Sequence, residues 1–162
     1  MLQLIIKLST KRSIFGELNL QSMAGQTDLK LLISQMEPTL NEGEYVFVNI
    51  NDLEKISRSD TLFEFKEVEG ATIVLERQKA DLYNLSYDFV ASWITFKVHS
   101  ALEAVGLTAA FSAELTRHNI SCNVVAAYFH DHIFVDVKDA ERAMKVLKEM
   151  ADCERSVFND QI

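Results

Sequence analysis

The stretch Ile94-Thr95-Phe96-Lys97-Val98 alternates apolar and polar side chains, so Ile94, Phe96 and Val98 share one face and Thr95 and Lys97 the other. That is the two-residue period of a half-buried strand. A loop over residues 99–103 leads into a helix expected over 104–118, with Ala104, Leu107, Phe111 and Leu115 as its apolar stripe. Residues 120–127 (Ile-Ser-Cys-Asn-Val-Val-Ala-Ala) read as the next strand, with a turn at 129–131 and His132-Ile133-Phe134-Val135 as its hairpin partner. Asp136 or Asp139 can cap a last helix that turns Ala140, Ala143, Met144, Leu147 and Met150 inward. Strand, helix, strand, strand, helix is a split βαβ, ferredoxin-like unit short of its final strand. The local candidate for that strand is 155–158; pairing supplied by the first half of the chain is the alternative.

Upstream, Leu29, Leu32, Ile33 and Met36 recur at helical spacing, with Thr27 or Asp28 as cap and Pro38 as the stop. Asn41-Glu42-Gly43 reads as a turn before Tyr45-Val46-Phe47-Val48-Asn49-Ile50, a strand rich in aromatic and β-branched residues. Residues 51–60 are polar and read as loop or frayed helical turn. Leu62-Phe63-Glu64-Phe65-Lys66 and Ala71-Thr72-Ile73-Val74-Leu75 are two more strands around a turn at Glu69-Gly70, and 77–84 suits a short helix. The expected fold is α+β, with residues 1–22 read as an extension ahead of the main body. The extension has two readings: a segment ahead of a true start at Met23, or an extra strand over 2–7 on a sheet edge.

A chain of 162 residues, 48% hydrophobic and 25% charged, is long and apolar enough to bury a core. Its net charge of −8 argues against nucleic acid, which needs clustered Lys and Arg to displace counterions. Lys7, Lys11 and Arg12 make the first 22 residues basic, so the negative charge belongs to the body. Cys122 and Cys153 are too few for a disulfide framework; Cys122 sits in an apolar run and is expected to be buried and inert. No apolar stretch suits a membrane span, and Met1-Leu2-Gln3-Leu4-Ile5-Ile6 has the reverse polarity of a signal peptide. A cytoplasmic protein that does not engage membranes is expected.

Catalytic signatures are absent: the chain has no Gly-rich phosphate loop, nucleophile elbow or paired-His zinc helix. In His130-Asp131-His132, alternation would set both imidazoles on one face at a spacing open to metal ligands, but only His99, His118 and Cys122 remain as distant further ligands. A polar hairpin corner explains the triplet as well, and no metal, cofactor or enzyme activity is expected. Ser100, Glu103 and Gly106 bracket a helix start, where unpaired N–H groups attract an anion. A tight packed loop is the alternative there, as an ordinary outward polar residue is for Asn123.

Two longer segments carry a resemblance. Val98-His99-Ser100-Ala101-Leu102-Glu103-Ala104-Val105-Gly106-Leu107-Thr108-Ala109-Ala110 and residues 120–135 strongly resemble small bacterial stand-alone ACT-domain proteins, and Thr27-Asp28-Leu29 and Gly43-Glu44-Tyr45-Val46-Phe47 are similar to their first half. The likeness covers about residues 26–150. It implies two tandem ACT-like, ferredoxin-like halves over 23–89 and 90–153, the first degenerate, with a C-terminal tail over 154–162; such modules bind amino acids or similar metabolites and pair side by side to regulate a protein. The Leu-Glu-Ala-Val-Gly loop and Asn-Val-Val segment are also similar to those of animal cytosolic arginine sensors. The resemblance places Ser100, Leu102, Glu103, Ala104, Val105 and Gly106 on one wall of a ligand site and Asn123, Val124 and Val125 on the other, with Asp131 toward a ligand amine. It implies a homodimer, a small-molecule ligand and a regulated protein in trans. A structural module that assembles through its ACT surface is the alternative, and a metal enzyme at His130 and His132 a third reading.

Overall fold

The computed structural model describes residues 28–97 and 105–159. In chain order these form α1 (Leu29–Gln35), β1 (Pro38–Leu40), β2 (Tyr45–Ile50), β3 (Thr61–Glu67), β4 (Gly70–Glu76), α2 (Arg77–Leu82), β5 (Val90–Phe96), α3 (Leu107–Arg117), β6 (Asn123–Ala126), β7 (Asp131–Asp136) and α4 (Ala140–Asn159). The strands make one seven-stranded sheet ordered β3-β4-β2-β5-β7-β6, with β1 also paired to β5. Every pairing is antiparallel.

Two ferredoxin-like units share β5. In the first, β2 lies between β4 and β5, with β3 outside β4. Short 3-10 turns at Leu53–Lys55 and Arg58–Asp60 stand where its first helix would be. In the second unit β5 is the first strand, followed by α3, β6, β7 and α4. Its fourth strand is β1, which pairs Pro38 with Phe96 and Leu40 with Ile94. Residues 155–158 are not that strand: they belong to α4, which runs on to Asn159. Pairing from the first half of the chain completes the sheet instead. The β1 strand is short and opens on Pro38, a position where a missing N–H is tolerated.

Side-chain alternation sorts the core into two layers. On the helix side, Ile94, Phe96, Ile133 and Val135 pack against Leu32, Met36, Phe111, Leu115 and Leu147. Val46, Val48, Ile73 and Leu75 continue that layer beneath α2 through Ala80. The opposite face gathers Tyr45, Val74, Ala91 and Phe134 with Phe47, Phe63, Phe89, Trp93 and Val125. Phe63 on β3 lies 6.0 Å, ring centroid to centroid, from Phe134 on β7. In a flat sheet of that order they would stand roughly 19 Å apart at the usual strand spacing. The sheet is therefore curled, concave on its aromatic face. A register shift between Thr61 and Phe63 bends β3 inward.

The elements read from periodicity are present at their expected places. Asp28 caps α1 by accepting a hydrogen bond from the Leu31 N–H at 2.9 Å. The α3 stripe of Leu107, Phe111 and Leu115 is buried, as are Ala140, Ala143, Met144 and Leu147 of α4. Residues 1–22, read either as a segment ahead of Met23 or as a strand over 2–7, lie outside the described residues.

Candidate functional site

Ser100, Leu102, Glu103 and Ala104 lie outside the described residues. Val105 is exposed. Gly106 is the N-cap of α3, with φ +102° and ψ −18°. Its carbonyl accepts from the Ala110 N–H at 2.8 Å. The sequence reading set Gly106 inside the first helical turn; the helix starts one residue later, and the positive φ is what requires glycine. A Cβ at this position would also stand 3.0 Å from Leu29 Cδ2. The close neighbour is thus α1, which lies against the start of α3.

Asp131 opens β7 and is buried, opposite Phe96 on one side and Ala126 on the other. Alternation puts it with Ile133 and Val135 on the helix side, at the end of the sheet where β5 leaves toward α3. Val124 packs in that same layer. Val125 belongs to the concave face, and Asn123 shares its side of β6. The structure therefore brings Gly106, Val124 and Asp131 to the helix layer and sends Asn123 and Val125 to the other.

His130 precedes β7 in a turn, and its Nδ1 is buried without a hydrogen-bond partner. His132 lies on the concave face. Its Nδ1 receives the Trp93 indole N–H at 3.1 Å and is 3.0 Å from Thr95 Oγ1. An indole nitrogen only donates, so Nδ1 is the bare nitrogen and the proton sits on Nε2. Burial, then the neighbouring His130, holds the His132 pKa below its usual value. Among the described residues no three His, Cys, Asp or Glu side chains gather as a metal site. Cys122 is half-buried and Cys153 exposed. Burial pushes the Cys122 thiol up, toward the inert form.

Sequence reasoning missed the concave face. Leu62, Phe63, Trp93, Val125, His132 and Phe134 line a cavity of about 120 Å³ there, with the exposed Ala127 also in its lining. A second, of about 280 Å³, shares Leu62 and Trp93 and adds Tyr45, Asp60, Glu76 and Lys79. The signal was present in Tyr45-Val46-Phe47-Val48, an apolar run without alternation, which marks a strand buried on both faces.

Residues 24–92 match one ACT-domain family model and residues 89–149 match another. A Vibrio cholerae protein of unknown function, described as a possible transport protein, is 45% identical. The match covers 76% of this chain and 95% of that one, with a TM-score of 0.66. The chain belongs to the ACT-domain family. A protein from Agrobacterium tumefaciens is 18% identical over 72% of this chain and 89% of its own, with a TM-score of 0.56. The regulatory subunit of aspartate kinase from Thermus thermophilus, in its ligand-free form, is 6% identical over 70% of this chain and 95% of its own, with a TM-score of 0.55. These last two share the fold. No protein of curated function matches the chain. Among the described residues of this ACT-domain protein, no helix is long and apolar enough to cross a membrane.

Proposed function

We propose that this ACT-domain protein is a non-catalytic regulatory module of the cytoplasm that binds an amino acid or similar small metabolite and acts on another protein in trans. The observation that carries the reading is the pair of ACT matches spanning the sheet, with one strand common to both units. The same fold serves as the regulatory subunit of an aspartate kinase in Thermus thermophilus. In this reading the ligand carboxylate meets the N–H groups at the start of α3, beside Gly106, where the helix dipole favours negative charge. Ser100 and Glu103 belong to the same wall by resemblance, and Asp131, at the same end of the sheet, faces the amine. Calorimetry against the amino acids tests this: the parent binds one of them, and Asp131→Asn weakens it by about 1–3 kcal/mol. A ligand held as tightly by Asp131→Asn as by the parent would overturn the site.

A homodimer belongs to the same reading, because β3 and β6 are edge strands and uncovered edges invite pairing. Light scattering should return about twice 18.4 kDa; a monomer at high micromolar concentration contradicts it.

One observation favours an interaction module as the second reading. Tyr128 and Phe129 are 62% and 57% exposed at the tip of the β6–β7 hairpin, packed edge to face with centroids 4.8 Å apart. A paired aromatic tip of this kind suits protein contact. The absence of any amino-acid ligand in the calorimetric series would put it first.

A further inference from the structure

The concave face carries two adjoining cavities with Leu62 and Trp93 in common. We infer that the two adjoining cavities between β3 and β6 take a single amino acid with a branched or aromatic side chain, the side chain in the smaller cavity and the charged head in the larger. The inference shares a ligand class with the reading above but uses a different site, on the other side of the sheet.

Size and lining decide what the smaller cavity accepts. At about 120 Å³ it is slightly smaller than the roughly 150 Å³ apolar cavity known to hold benzene. Phe63, Trp93 and Phe134 supply ring faces and edges, and Leu62 and Val125 supply aliphatic contacts. Phe134 and Trp93 stack nearly parallel, 13° between planes, and Phe63 crosses Phe134 at 54°. These rings hold one another, so the cavity is preformed and little ordering cost remains for a ligand. His132 is its one ionisable wall, and the Trp93 hydrogen bond fixes that ring so that Nε2–H is the donor. A long cationic or anionic side chain finds no opposite charge there.

The larger cavity carries both signs of charge. Lys79 Nζ lies 3.1 Å from Asp60, and Tyr83 donates its hydroxyl to the other oxygen of Asp60 at 2.7 Å. Glu76 lines the same space, opposite Tyr45 on the neighbouring strand. Lys79 suits a carboxylate, and Glu76 with Asp60 suits an ammonium group. Leu62 and Trp93 line both cavities, so a ligand Cα lies between them.

Trp93 is the only tryptophan of the chain, so its emission reads the site directly. The full chain is titrated with L-leucine and L-phenylalanine, with L-aspartate and L-lysine as comparisons. Leucine or phenylalanine should shift the Trp93 emission saturably, with the two charged side chains at least about tenfold weaker. Ala127→Phe, at an exposed position on the rim, fills the smaller cavity and should abolish the shift while leaving the melting temperature near the parent's. Lys79→Met, outside the sheet, should weaken binding about tenfold or more through loss of a charged partner. Asp131→Asn, which belongs to the other site, should leave the Trp93 titration unchanged. The inference is overturned if neither amino acid moves the emission up to millimolar concentration. It is also overturned if aspartate or lysine binds as well, or if Ala127→Phe and Lys79→Met both bind like the parent. Loss of binding in Asp131→Asn with retention in Ala127→Phe would assign the ligand to the helix-side site instead.

Discussion

Gly106 shows how one backbone angle sets a local structure. A φ of +102° lies in the region L side chains rarely adopt, and Leu29 leaves a Cβ only 3.0 Å of room. Gly106→Val should therefore lower stability by about 1–3 kcal/mol, read from the denaturant midpoint. An unchanged midpoint would mean that the cap relaxes freely. Because of this cost the variant is a probe of the fold, and Asp131 is the cleaner probe of binding. His132 makes a second prediction at this scale. Its folded pKa lies below the ordinary 6.5, with burial as the main cause, so the unfolded chain binds more protons as pH falls from 6.5 toward the folded value. Its contribution is present above 6.5 and is lost through that window on acidification. His132→Gln should flatten the loss of melting temperature over that range; an unaltered slope would show that another group titrates there. The fixed Nε2–H donor was not legible in the sequence, because it depends on Trp93, a residue 39 positions away.

Among the elements, β1 was the one sequence reading did not supply. Its three residues are too few to show a period, and Pro38 reads more readily as the end of α1 than as the start of a strand. The strand is anchored by Asn41, the residue just beyond its end. The Asn41 backbone N–H donates to the Trp93 carbonyl at 2.8 Å, and its side-chain Nδ2 donates to Trp93 O at 3.1 Å and Thr95 Oγ1 at 2.9 Å. These bonds seat the break between β1 and β2 against β5, so one continuous stretch of chain lines its edge. Asn41→Ala removes the side-chain pair and should cost about 1–2 kcal/mol in equilibrium unfolding. No measurable loss would show that strand pairing alone seats the break. The longer helices and central strands were legible because their apolar stripes are periodic: Leu107, Phe111 and Leu115 on α3 needed no partner to be recognised. The three β6 residues that the resemblance set on one wall do not share a face of the strand. Asn123, Val124 and Val125 are consecutive, so the pleat must send the middle one to the opposite side of the sheet.

At the scale of the whole molecule, two ACT units form a single curled sheet through β5 and enclose an aromatic concave face. The second unit was legible from its strand, helix, strand, strand, helix order, and the tandem arrangement from the resemblance to ACT-domain proteins. The curl was not, since it comes from long-range packing of Phe63 on Phe134 across the intervening strands. The arrangement leaves one layer for the α3 start and another for the aromatic cavity, both framed by β5, β6 and β7. The central claim is that this architecture serves to bind an amino acid. A ligand that binds only the folded chain stabilises it in step with the logarithm of its concentration over Kd, and so raises its melting temperature. The most direct measurement is a thermal-shift series of the full chain against each of the twenty amino acids across a concentration range. The account predicts a concentration-dependent rise for at least one of them; a melting temperature unmoved by all twenty at millimolar concentration would contradict it.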